Sequence, residues 1–287
     1  MKIFIIGGSG LVGARLSELL QEKYSIDNLN TSNGVDITRP ETLDIIKKDS
    51  EHQLVLHLAA KTDVDGCEMD KEMGENGDAW RVNVMGTENV VNACLASNKK
   101  LIYISTDFVF NGENTPESGY KEESIPDPIN WYAETKFKAE EIIRNSELVF
   151  IIARIAYPYR KEFVQKKDFV RAIKDRLANN QQVLAVTDHI MTPTFIDDIA
   201  VALDKLIETD QSGIFHVTGS QSLSPYDAAI LIAEKFDLNK NLISKTTRAE
   251  YFEDKAVRPL NLALNNEKIK QLGVKMKTFR EGLDAIK

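Results

Sequence analysis

"IFIIGGSGLVGARLSELL", residues 3 to 20, sets four apolar residues against a glycine cluster and follows it with an amphipathic run. The apolar residues suit a strand covered on both faces, and the spacing after the glycines suits a helix. Gly7, Gly10 and Gly13 fall in the turn between them as G-x-x-G-x-x-G, a spacing variant of the dinucleotide fingerprint. In that motif the first glycine permits the tight turn, the second lets the backbone approach a pyrophosphate, and the third lets helix pack closely on strand. Backbone N–H groups and the positive end of the helix then face the diphosphate.

Further apolar runs extend the pattern: "QLVLHLAA" (53 to 60), "KLIYIST" (100 to 106) and "ELVFIIAR" (147 to 154). Between them lie helical patterns at 11 to 23, 40 to 49, 79 to 98 and 131 to 145. Alternation of this kind predicts a doubly wound, Rossmann-like α/β fold around a parallel sheet. The second half is less regular. "QQVLAVT" and "GIFHVTG" read as strands, "FVRAIKDRLANN" and "TPTFIDDIAVALDKLIE" as helices, and "SPYDAAILIAEKFDL" as a helix capped by Ser224 with Pro225 in its first turn. The expected division is a nucleotide-binding domain over 1–155, with 186–220 returning to it, and a smaller C-terminal α/β substrate lobe over 156–287. The acidic "CEMDKEMGENGDAW" (67 to 80) has no clear period and reads as a solvated excursion, with a metal site among Glu68, Asp70, Glu72 and Glu75 as the weaker alternative.

Composition narrows the function. With 43% apolar and 28% charged residues the chain is globular, and a net charge of −8 disfavours nucleic acid or an anionic membrane. A local basic pocket for a phosphorylated ligand stays open. No segment reaches the apolar length of a membrane helix, and the opening "IFII" is too short for a signal peptide core, so a cytoplasmic protein is expected. Cys67 and Cys94 form no disulfide framework, and His52, His57, His189 and His216 lack zinc-binding spacing. No metal is expected.

The second strand, near "YSIDNLNTS", should end where the adenosine ribose lies. Asn30 is placed there, followed by Thr31 and Ser32, with Arg39 nearby; a neutral Asn does not repel a 2′-phosphate. Asp27 is the ribose acid if the register is otherwise, so the cofactor is NADP(H) or NAD(H), with a lean to NADPH. Asp36 would then meet the adenine amino group.

In "NWYAETKFKAEE" (130 to 141) Tyr132 and Lys136 are four apart, so a helix puts phenol and ammonium on one face. Alone, Y-x-x-x-K is common. Together with "YISTDFVFNG" (103 to 112) and the glycine turn, it resembles the extended short-chain dehydrogenase/reductase family, and within it the dTDP-4-dehydrorhamnose reductase branch. "GGSGLVG", "VDITRPE", "HLAAKTDVD", "ISTDFVFNG", "NWYAETK", "DHIMTPT" and "RPLNLAL" follow the family's order across nearly the whole chain.

The resemblance implies a Thr106, Tyr132, Lys136 triad, with Ser105 as the competing hydroxyl. It implies cofactor contacts at Gly7, Gly10, Leu11, Val12, Gly13 and Ile37, and at the strand end Ala59, Ala60 and Lys61. Substrate contacts would fall on Thr106, Asp107, Phe108 and Tyr157, with Arg258 to Asn261 helping to hold a nucleotide diphosphate. The implied activity is NAD(P)H-dependent reduction of a nucleotide-linked 4-keto-6-deoxy sugar, by a chain that can self-associate as a homodimer. Two unit charges about 4 Å apart at an effective dielectric near 20 interact by about 4 kcal/mol, or roughly three pKa units. On that arithmetic Lys136 is expected to bring the Tyr132 phenol towards working pH, while Thr106 polarises the carbonyl.

Three departures bear on the substrate: Arg160 and Asp168 in "YPYRKEFVQKKDF", the apolar end of "RPLNLAL", and the length of the 67 to 80 excursion. A sugar-nucleotide 4-epimerase or dehydratase would share the cofactor and the Tyr/Lys pair, but a dehydratase is expected to carry an acidic pair where Asp107 is followed by Phe108. The branch also resembles the regulatory partner of methionine adenosyltransferase, which makes a non-catalytic subunit the third reading.

Overall fold

A computed structural model describes residues 1–161 and 167–286. Part of the charged stretch at 160 to 168 lies outside the described residues. Among the described residues ten strands are formed: β1 (Lys2–Ile6), β2 (Ser25–Leu29), β3 (His52–His57), β4 (Lys100–Thr106), β5 (Phe150–Ile155), β6 (Pro158–Tyr159), β7 (Val183–Val186), β8 (Thr194–Phe195), β9 (Gly213–His216) and β10 (Ile243–Thr246). Six of them make one sheet in the order β2-β1-β3-β4-β5-β9, parallel throughout.

Strand period explains the two-sided burial. Ile3 and Ile5 enter a core with Leu16 and Leu20 of the first helix and Ile199 and Leu203 of helix Ile196–Glu208. Phe4 and Ile6 point the other way, to Val90 and Val91 of helix Gly86–Ala96 and Ile143 of helix Trp131–Arg144. Each fully buried Ile contributes about 1.5–3 kcal/mol of transfer energy, so a one-residue slip of β1 would forfeit several such terms.

The remaining strands form two short parallel pairs, β7 with β10 and β6 with β8. "QQVLAVT" is therefore a strand as read, but it pairs outside the main sheet. Ser224 caps its helix by accepting from the Asp227 N–H at 3.1 Å, with Pro225 in the first turn. Among the described residues no helix is long and apolar enough to cross a membrane.

The 67 to 80 stretch differs from the expected solvated excursion. It continues helix Val64–Met69 and runs through a 3₁₀ segment, Lys71–Asn76, with Gly74 at φ +53°. Cys67 and Ala79 are buried, and Asp70 accepts from both the Lys61 ammonium and the Ala79 N–H at 2.9 Å. Asp70 is spent on structure, while Glu72 and Glu75 stay exposed as expected of a solvated stretch. No group of three or more His, Cys, Asp or Glu among the described residues is placed to hold a metal.

Candidate active site

In an open parallel sheet, ligands bind beyond the carboxyl ends of the strands, where the strand order reverses. That crevice lies here between β1 and β3. Gly7, at the end of β1, has φ +85°, and an added Cβ would stand 2.6 Å from the Ala59 nitrogen. At Gly13 an added Cβ would stand 2.4 Å from the Gly7 carbonyl oxygen. Only glycine allows β1, the turn and helix Leu11–Leu20 to pack this closely. The helix has no side-chain cap and no acid in its first turn, so its leading N–H groups remain available to an anion. These features fit a dinucleotide diphosphate.

A cleft of about 590 Å³ opens beside this turn, lined by Gly7, Gly10, Leu11, Val12, Gly13 and Ala60 on one side. Thr106, Asp107, Phe108, Tyr132, Lys136, Tyr157 and Arg258 line the other. A smaller hollow of about 300 Å³, beside Lys100 and Val149, lies at the opposite, amino-terminal edge of the sheet.

The Tyr/Lys helix is positioned at its first turn. The Asn130 side chain accepts from the Ala133 N–H at 2.9 Å and donates to the Val257 carbonyl at 2.9 Å, while Glu68 accepts from the Trp131 N–H at 2.7 Å. Asn83 locks the next turn. It donates to the Thr135 hydroxyl at 3.0 Å and holds the Lys61 backbone through both its N–H and its carbonyl. Asn83 lies in a π-helical segment, Arg81–Met85, a geometry common at functional sites. No sequence period marks it.

Lys136 is buried and donates to the Ile104 carbonyl at 2.9 Å, with its nitrogen 4.0 Å from the Tyr103 ring centroid. Burial pushes its pKa down to about 7, and Glu140 one turn later opposes that shift. The Tyr132 phenol is raised by burial, with the Thr106 hydroxyl offsetting part of it and Asp107 adding to it. This corrects the expected tuning. In the protein itself desolvation outweighs any attraction between the pair, because both groups are enclosed and the ammonium is engaged by a carbonyl and a ring.

Thr106 is also committed. It donates to Asp107 Oδ1 at 3.1 Å and accepts from the Phe108 N–H at 3.2 Å. Ser105 is buried as well, its hydroxyl without a partner among the described residues. Asp107 is 2% exposed, its Oδ2 has no partner among the described residues, and burial pushes its pKa up to about 7.

Other expected residues stand elsewhere. Asn30 follows the end of β2 and caps a 3₁₀ turn, accepting from the Ser32 and Asn33 N–H groups. Asp27 pairs in register with Phe4 and lies 2.9 Å from the His52 ring nitrogen, inside the strand rather than at its end. Asp36 accepts from the Thr38 N–H and hydroxyl, and Ile37 is buried against Gly86. Lys61 turns its ammonium to Asp70, away from the cleft. Arg258, by contrast, is on the cleft wall, where it pairs with Asp65 at 2.8 Å and lies over the Phe252 ring, whereas the Asn261 side chain accepts from the Ala263 N–H outside the cleft. The cleft also takes in Leu58, Thr62, Val64, Ile155 and Phe252, which the sequence did not single out.

A glycine-turn helix on a parallel sheet, with Tyr132 and Lys136 over the carboxyl edge of β4, defines the extended short-chain dehydrogenase/reductase class, whose members are NAD(P)-dependent oxidoreductases. The family model described as "RmlD substrate binding domain" matches residues 1–287, and the chain belongs to that family. It is 31% identical to a dTDP-4-dehydrorhamnose reductase of Aggregatibacter actinomycetemcomitans, over all of this chain and 98% of that one. A crystal structure of dTDP-4-dehydrorhamnose reductase from Bacillus anthracis in complex with NADP superposes with a TM-score of 0.89 at 28% identity, covering 99% of this chain and 98% of that one. Methionine adenosyltransferase 2 subunit beta of Mus musculus is 28% identical, over 98% of this chain and 86% of that one.

Proposed function

We propose that this protein is an NAD(P)H-dependent reductase of a nucleotide-linked 4-keto-6-deoxy sugar, with Tyr132 as the proton donor. The reading rests chiefly on one observation: Thr106, Tyr132 and Lys136 line the same cleft as the glycine turn. Residues 1–155, with 186–220 returning, are assigned to the cofactor and 156–287 to the sugar, in a protein acting in the cytoplasm. Gly7, Gly10, Leu11, Val12 and Gly13 would hold the diphosphate, and Asn30, Asp36 and Ile37 the adenosine end. A bound NAD(P)H would supply the hydride.

The chain's own groups supply the rest. Reduction leaves an alkoxide that must gain a proton, and a phenol raised by burial enters the reaction protonated. The Lys136 ammonium favours the phenolate left behind, and its bond to the Ile104 carbonyl keeps it in place. The Thr106 hydroxyl, by turning from Asp107, donates to the carbonyl oxygen as charge develops there. An Asp107 poised near neutrality accommodates that switch.

The mouse relative supports a second reading, a regulatory subunit of the same fold. Turnover separates the two. Purified protein given dTDP-4-keto-6-deoxy-sugar should oxidise NADPH or NADH and yield the 4-hydroxy product. Cofactor binding without turnover on any keto-sugar would overturn the reductase reading and favour the regulatory one.

A further inference from the structure

Tyr157 is bulky, yet it sits at φ +41°, in the left-handed region. Few side chains are held there without reason. Its ring meets Phe108 and Phe169, and its hydroxyl lies 2.8 Å from His189 Nε2. His189 is 2% exposed, and its other nitrogen, Nδ1, lies 2.7 Å from the Pro259 carbonyl oxygen. A carbonyl oxygen only accepts, so Nδ1 carries the proton; in a neutral ring Nε2 is then bare and must accept. Burial, with Arg248 and Arg258 nearby, lowers the pKa of His189 and keeps the ring neutral. Tyr157 therefore donates its only proton to His189, and its remaining lone pairs are left for the cleft.

Asp107, on the same cleft, offers a second oxygen, Oδ2, that has no partner among the described residues and accepts whenever the carboxyl is ionised. We propose that His189 is a positioning residue that fixes the polarity of the Tyr157 hydroxyl, so that this wall of the cleft presents acceptors and takes the hydroxyl-bearing face of a sugar rather than a carbonyl or phosphate oxygen. The substrate part of this inference rests on reading the cleft as a keto-sugar site.

Three variants and one spectrum test it. His189→Asn keeps a donor near the Pro259 carbonyl but removes the acceptor for Tyr157, and His189→Gln places an amide oxygen near the position of Nε2. Leaving one polar group mismatched at a binding site typically weakens binding about tenfold, so His189→Asn should raise KM for the keto-sugar by about that factor, with kcat within about twofold. His189→Gln should recover most of the loss. In a Tyr157→Phe background the Asn substitution should change KM by less than about twofold, because the two residues act as one unit. NADPH affinity should hold throughout, and ring-nitrogen shifts of isotope-labelled His189 should report the Nδ1-protonated tautomer. Equal losses in both backgrounds, or an Nε2-protonated ring, would overturn the inference. If the wild type turns over no keto-sugar, the reductase reading fails separately, and the tautomer still upholds or overturns the polarity assigned to Tyr157.

Discussion

Lys136 and Glu140 are one turn apart on the same helix and both are buried, yet the fold treats them oppositely. Glu140 is gripped by Arg154 through two bonds of 2.9 and 2.6 Å, and Arg154 also approaches His216, whose N–H in turn donates to Glu122. The two opposite buried charges at its centre, Glu140 and Arg154, meet each other. Lys136 has a carbonyl and a ring face, and the nearby Asp107 has a hydroxyl and an unpartnered oxygen. Buried charges that are satisfied hold a fold together, whereas those left partly unsatisfied have shifted pKa values and are candidates for chemistry.

Breaking the satisfied side should have the largest effect on stability. Glu140→Gln leaves the Arg154 guanidinium buried without a counter-charge and should destabilise by about 3–5 kcal/mol in urea unfolding. A pairwise apolar replacement, Glu140→Leu with Arg154→Met, should recover much of that loss. If Glu140→Gln unfolds like the wild type, the contrast between the two clusters disappears.

On the other side of the comparison, the same operation should reverse sign. Lys136→Met removes a buried ammonium and should abolish turnover while raising stability at pH 7, by about 1–4 kcal/mol on the scale seen for apolar replacement of buried ions. The folded pKa of about 7 lies below the ordinary 10.5, so the unfolded chain binds more protons between those values and wild-type stability climbs with pH across them. The advantage of the variant should therefore shrink between pH 7 and about 10 in thermal melts. A variant that melts lower at pH 7 would place Lys136 with Glu140, as a structural charge.

Gly13→Ala probes the turn that brings the two halves of the site together. Its Cβ would meet the Gly7 carbonyl at 2.4 Å and the Gly8 Cα at 2.8 Å, which should cost about 1–3 kcal/mol of stability and weaken NADPH binding about tenfold or more in fluorescence titration. Unchanged affinity would remove the turn from the cofactor site. The smallest effect is expected at Asp107→Asn. A carboxyl raised from 3.8 to about 7 favours the protonated form in the fold, so wild-type stability falls as pH rises through that window. Read from melts at pH 4 and pH 8, the Asn variant should therefore gain on the wild type as the pH rises, with no advantage at the acid end.

The fold was legible because local signals agreed with one another. Continuous apolar strands, a glycine turn and capped helices all pointed to a parallel sheet, and Thr106 and Tyr132 of the proposed triad stand at a strand end and a helix start, where such sheets bind ligands. What stayed hidden depends on tertiary placement. The 67 to 80 segment looked solvated because its acids are unremarkable in sequence, yet Asp70 and Glu68 anchor Lys61, Ala79 and Trp131. Asn83 has no motif to announce its three bonds, and His189 was one scattered histidine among four until the fold brought Tyr157 and Pro259 to its two nitrogens. The reversed pKa reading has the same origin: spacing gives the distance between Tyr132 and Lys136, but only the fold gives their burial.

The most direct test of the account is Tyr132→Phe, assayed beside the wild type for NADPH oxidation by dTDP-4-keto-6-deoxy-sugar and for NADPH binding. If Tyr132 supplies the proton, the variant should lose about 10²- to 10⁴-fold in kcat while binding NADPH and melting as the wild type does. A variant that turns over within a few-fold of the wild type would contradict it, and the proton would then have to come from another group in the cleft.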